Sequence, residues 1–109
     1  MSKEAKKPVV NPPQIISDAE LKATQIGAKG WSKGQQDQEE AVASVGDVLN
    51  AKTTLQQYNE MQSQWSLTYV EENPEASKEK VSQQRSRFFR EALKYAGIKK
   101  PTAQNDVAE

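Results

Sequence analysis

The segment from Gln35 to Val70 reads QQDQEEAVASVGDVLNAKTTLQQYNEMQSQWSLTYV, with no proline and a single glycine at position 46. Its apolar side chains recur at steps of three and four residues, which places them along one face of a helix. They are Ala41, Val45, Val48, Ala51, Leu55, Tyr58, Met61, Trp65 and Tyr69. The spacing predicts one long helix over about 35–71, roughly 55 Å in length, which needs other elements to cover it.

A second helix is predicted over about residues 74–96, directly after the long one. Asn73 suits its N-cap, Pro74 fits its first turn, and Gly97 ends it. Because only two or three residues separate the two helices, we expect them to lie antiparallel as a hairpin.

A short helix is predicted over about residues 18–29, before the long one. Ser17 and Glu20 have the spacing of a capping box, and Gly30 is placed to end the helix. We expect it to pack across the hairpin, which gives an all-α fold with a single helical domain over residues 16–100. Residues 1–15 are predicted to form an extended or disordered arm, and residues 101–109 a disordered tail.

The composition narrows the classes of function. Of the 109 residues, 15 are lysine or arginine and 15 are aspartate or glutamate, so net charge favours no partner class. The chain has no cysteine and no histidine, which removes disulfides, thiolate metal sites and the commonest general base. We therefore expect no enzymatic activity, cofactor, metal or small-molecule substrate. No signal peptide or transmembrane segment is apparent, so we expect a cytoplasmic or intracellular protein that does not act on membranes.

Charge is distributed unevenly along the chain. Residues 78–100 contain eight basic and two acidic side chains, a net charge of +6, whereas residues 37–75 contain eight acidic side chains and one lysine, a net charge of −7. One interpretation is that the basic helix contacts nucleic acid, with cations on phosphates and Phe89 or Tyr95 stacked on a base. The candidate nucleic-acid residues are Arg87, Arg90, Lys94, Tyr95, Lys99 and Lys100. The other interpretation is that basic and acidic helices balance each other within the hairpin or an oligomer.

The function we predict first is that of a non-enzymatic helical interaction protein: an assembly, adaptor or inhibitor component that self-associates or binds a protein partner. The large apolar residues are few, and residues 36–48 extend beyond the reach of the last helix, so they need a cover. The candidate protein-contact residues are Trp31, Val42, Val45, Leu49, Trp65 and Phe89. The order of proline-containing arm, glutamine-rich helix, basic helix and polar tail is similar to that of small viral or mobile-element accessory and virion proteins. The alternative function is that of a nucleic-acid-binding accessory protein using helix 78–100.

Overall fold

A computed structural model describes residues 15–102, without the side chains of Gln35 and Gln36. Within this part of the chain there are four α-helices: α1 (Asp18–Lys33), α2 (Gln35–Gly46), α3 (Leu55–Glu72) and α4 (Lys78–Ala96). The all-α prediction is confirmed. The predicted arm over 1–15 and tail over 101–109 lie almost entirely outside the described residues.

Helix α1 begins with the predicted capping box. The Ser17 hydroxyl accepts from the Glu20 backbone N–H at 3.1 Å, and the Glu20 carboxylate accepts from the Ser17 N–H at 2.8 Å. The predicted end near residue 29 is wrong, since the helix continues through Gly30 to Lys33. Gly30 allows close packing instead, because a Cβ there would lie 2.9 Å from the Cβ of Ala41. The chain turns at Gly34, whose φ of +127° favours glycine.

The single long helix over 35–71 is wrong, because the chain leaves the helical conformation between α2 and α3. In that connection the Asn50 side chain accepts from the Lys52 N–H, and the Thr53 hydroxyl accepts from the Asn50 N–H. Such local side-chain bonds compete with helical hydrogen bonds. Thr54 and Gln57 then form a second capping box, which starts α3.

Helices α3 and α4 form the predicted antiparallel hairpin, but its turn is longer than predicted. The N-cap of α4 is Ser77, whereas Asn73 ends α3, so α4 begins at Lys78 and not at position 74. Across the hairpin, Phe89 of α4 faces Tyr58 of α3, with ring centroids 5.5 Å apart. The end of α4 at Gly97, with φ +72°, is confirmed.

Aromatic rings fill the core where the helices meet. Helices α1 and α4 each pack on both α2 and α3, and they meet each other where Trp31 contacts Phe88. Trp65 is fully buried, stacks on Tyr69 with ring centroids 5.0 Å apart, and also contacts Phe88 and Phe89. Burial of each large apolar side chain contributes about 1.5–3 kcal/mol, so these rings are the main stabilising element.

Candidate binding groove between α2 and α4

Helices α2 and α4 run side by side in the same direction. At one end Gly46 lies directly against the ring of Tyr95. At the other end Gln38 and Arg87 both contact Trp31, which comes from α1. The space between the helices is an open groove of about 780 Å³, here called the α2–α4 groove. Its lining residues are Trp31, Gln38, Glu39, Glu40, Val42, Ala43, Arg87, Arg90, Glu91, Lys94 and Tyr95.

Trp31 is held in place at one end of the groove. Its indole N–H donates to the Gln84 side-chain oxygen at 2.8 Å, and its backbone carbonyl accepts from the Gln38 amide at 3.2 Å. The ring meets Phe88 edge-on at 5.4 Å, and the Arg87 guanidinium lies 6.0 Å from the ring centroid. These contacts join α1, α2 and α4, so this end of the groove is rigid.

The two walls differ in charge. Glu39 and Glu40 lie on the α2 wall, whereas the α4 wall has three cations and one carboxylate, and all of these side chains are exposed. The α4 residues are Arg87, Arg90, Glu91 and Lys94. On the α2 wall, beside Glu39 and Glu40, Val42 and Ala43 are half-buried and supply apolar surface. The groove therefore offers an apolar strip between charges of both signs that sum to zero.

Tyr95 lies at the other end of the groove, beside Gly46. Its side chain is 55% exposed although its ring lies against Gly46. A side-chain hydrogen bond to the Asp47 carboxylate, together with the charge of that carboxylate and partial burial, raises the pKa of Tyr95 above 10.0. The phenol is thus tethered to the end of α2 and remains accessible to a partner.

The structure brings together six of the side chains singled out from the sequence. Trp31 and Val42, predicted as protein contacts, line the groove together with Arg87, Arg90, Lys94 and Tyr95, predicted as nucleic-acid contacts, although Trp31 is itself buried and only 6% exposed. The other four predicted protein-contact residues, Val45, Leu49, Trp65 and Phe89, are at most 5% exposed and pack inside this chain. Lys99 and Lys100 are exposed beyond the end of α4 and do not line the groove. Phe89 is only 1% exposed, so its ring is not available to stack on a base.

Sequence reasoning did not single out the acidic side of the groove. Glu39 and Glu40 belong to the acidic segment 37–75, but neither was among the candidate site residues. The α4 side of the groove did have a signal in the sequence. Arg87, Glu91 and Tyr95 are spaced four residues apart, which places them on one face of the helix. The break between α2 and α3 was the missing step, since it allows α2 to lie beside α4.

No protein-family model, curated protein or solved structure matches this chain. In the part that the structure describes, no helix has the length and apolar character needed to cross a bilayer. The same residues contain no group of three or more carboxylates arranged to hold a metal ion. A function must therefore be argued from the groove itself.

Proposed function

We propose that this protein is a non-enzymatic helical interaction protein that contacts another protein chain through the α2–α4 groove. The supporting observation is the apolar strip at Val42 and Ala43, which lies between charges of both signs and between the aromatic rings of Trp31 and Tyr95. Aromatic and arginine side chains contribute most to protein interfaces, and paired charges fix the orientation of the partner. An assembly, adaptor or inhibitor role fits such a site.

The groove offers little for catalysis. Its ionisable groups are exposed carboxylates, arginines, one lysine and one tyrosine, and the chain supplies neither histidine nor cysteine. A nucleophile with an adjacent general base is the usual requirement for covalent catalysis, and those residue types provide most such pairs.

A nucleic-acid-binding role is the second candidate, because Arg87, Arg90, Lys94 and Tyr95 lie on one wall. A polyanion in this groove also meets the carboxylates of Glu39, Glu40 and Glu91, however. Repulsion from these groups opposes the attraction that phosphate binding requires. The charges of the groove therefore favour a protein segment over a nucleic acid.

The proposal is tested by placing a photo-crosslinking amino acid at Val42, inside the groove, in the cells from which the chain derives. A matched probe replaces Leu67, which is 61% exposed on α3 and does not line the groove. We expect a discrete crosslinked protein from position 42 that is absent from position 67. Equal crosslinking from both positions, or none from position 42, contradicts the proposal.

Calorimetric titration with single- and double-stranded nucleic acid, at low and high salt, separates the second candidate from the first. We expect no tight binding at either salt concentration. Tight binding that weakens steeply with salt, and that is lost when Arg87, Arg90 and Lys94 are all replaced by glutamine, establishes the nucleic-acid role instead.

A further inference from the structure

We infer that the occupant of the α2–α4 groove is a second copy of this chain, which pairs with the first about a two-fold axis running along the groove. This inference rests on the proposed function and specifies its partner. The observation that supports it is that the two walls of the groove have opposite net charge: Glu39 and Glu40 lie on the α2 wall, whereas the α4 wall has three cations and the single carboxylate of Glu91.

The direction of the two helices decides which symmetry is compatible with these charges. Because α2 and α4 run in the same direction, rotation by a half-turn about the groove axis places α2 of one copy over α4 of the other, at the same height. Glu39 and Glu40 of each copy then face Arg87 and Arg90 of the other. The two sets of contacts are identical, as a two-fold interface requires.

Other two-fold arrangements are unfavourable. An axis across the groove places α2 over α2 and α4 over α4, so that walls with the same sign of net charge face each other. Like charges placed opposite each other suppress association. The axis along the groove therefore gives the two-fold pairing in which walls of opposite net charge face each other.

Neutral and apolar features support the same pairing. The whole chain has a formal net charge of zero, so two copies approach without long-range repulsion. In the paired arrangement the half-buried Val42 and Ala43 on α2 of each copy lie over α4 of the other copy. Tyr95, with 55% of its side chain exposed, is available to cover the apolar strip of the opposite copy.

The experiment compares wild type with two charge-reversed variants by sedimentation equilibrium and native mass spectrometry. One variant carries Glu39→Lys and Glu40→Lys, and the other carries Arg87→Glu and Arg90→Glu. We expect wild type to dimerise and each variant alone to dimerise at least about tenfold more weakly, because like charges then face each other. An equimolar mixture of the two variants restores attraction at both sets of contacts and should form a one-to-one heterodimer.

Matched controls reverse the same number of charges outside the groove. Lys99→Glu with Lys100→Glu, and Glu71→Lys with Glu72→Lys, change exposed residues that do not line it. Both control variants should dimerise like wild type. Formation of the heterodimer also shows that the two groove variants are folded, so a loss of pairing is not mistaken for unfolding.

Several results overturn the inference: a wild type that stays monomeric at every concentration, a dimer that both groove variants leave unchanged, or a mixture that forms no heterodimer. These failures are distinct from failure of the proposed function. A monomeric protein that still crosslinks to a different protein from position 42 refutes self-pairing and keeps the groove as a protein-contact site. A monomeric protein without such a crosslink refutes both.

Discussion

Gly27 lies on the face of α1 that packs into the core, where almost no space remains. A Cβ at this position would lie 2.7 Å from the Phe88 ring and 3.0 Å from a methyl group of Val45. Phe88 is fully buried and cannot move aside without disturbing the aromatic cluster. The absence of a side chain at residue 27 therefore permits the close approach of α1 to both α2 and α4.

We predict that Gly27→Ala destabilises the protein. Alanine gains about 1 kcal/mol in helix propensity, but overpacking of a filled core costs about 1–3 kcal/mol, so a net loss is expected. The free energy of unfolding, measured by urea denaturation and circular dichroism, tests this. Gln25→Ala changes an exposed position of the same helix and should have little effect. A stabilised Gly27→Ala variant would mean that the ring of Phe88 has room to move.

Trp65 combines complete burial with an indole N–H that has no hydrogen-bond partner among the described residues. An unpaired buried donor costs about 1–3 kcal/mol. Trp65→Phe removes this donor and keeps an aromatic ring beside Tyr69, so we expect a loss below about 2 kcal/mol. Trp65→Ala leaves a cavity and should cost about 3–5 kcal/mol. Equal losses in the two variants, measured by urea denaturation, would contradict this reasoning.

All three tyrosines of the chain have a raised pKa in the folded protein. Burial raises the pKa of Tyr58 and Tyr69 above 10.0, and the hydrogen bond to Asp47 is the largest cause for Tyr95. The neutral phenol is therefore favoured by folding. This contribution to stability is fully present below pH 10.0 and is lost as pH rises through the raised values.

The free energy of unfolding should accordingly fall as pH is raised above about 10, where unfolded tyrosines ionise first. Tyr58→Phe should make that fall shallower, because phenylalanine cannot ionise. Denaturation at a series of alkaline pH values provides the measurement. An identical pH dependence in wild type and Tyr58→Phe would show that Tyr58 contributes nothing to it.

At the scale of the element, helix α3 depends on its own N-terminal cap. The Thr54 hydroxyl accepts from the Gln57 N–H at 3.1 Å, and the Gln57 side chain accepts from the Thr54 N–H at 3.0 Å. We predict that Thr54→Ala lowers the free energy of unfolding by about 1 kcal/mol. Thr54→Ser keeps the hydroxyl and should stay within a few tenths of wild type. If serine and alanine are equally destabilising, the cap is not the cause.

Helix boundaries were predictable where a local signal stands alone. Ser17 with Glu20 gave the start of α1, and Gly97 gave the end of α4. Thr54 followed by Gln57 is an equally clear signal for the start of α3. The apolar residues nevertheless continue at helical spacing through this point, so the sequence pattern did not reveal the break between α2 and α3. Gly30 was wrongly predicted to end α1. The glycine is there because α1 packs closely on Ala41 of α2, and a contact between two helices cannot be read from the local sequence.

At the scale of the whole molecule, only one wall of the candidate site was predictable. Arg87, Arg90 and Lys94 stand out in the sequence as part of a basic helix. That Glu39 and Glu40 lie opposite them depends on how four helices pack, and the unbroken long helix predicted from periodicity placed α2 elsewhere. The composition of each segment gave the sign of its net charge, whereas the packing of the helices determined which segments face each other.

The acidic wall should also control the response of the protein to polyanions. We predict that Glu39→Gln with Glu40→Gln strengthens weak binding to single-stranded nucleic acid at low salt, because the cations of α4 lose their opposing carboxylates. Calorimetric titration at low salt measures the change. Glu71→Gln with Glu72→Gln removes the same charge outside the groove and serves as the control. Equal strengthening by both pairs would indicate a general effect of net charge.

The contrasting surroundings of the two tryptophans give this protein two built-in optical reporters. Trp65 is fully buried among aromatic rings, whereas Trp31, although only 6% exposed, lines the groove and donates its N–H to Gln84. Emission from a Trp31→Phe variant therefore follows the packing of the interior, and emission from a Trp65→Phe variant follows events at the groove. A shift in wavelength confined to the second variant would identify a ligand that settles beside α2 and α4 while the interior stays unchanged.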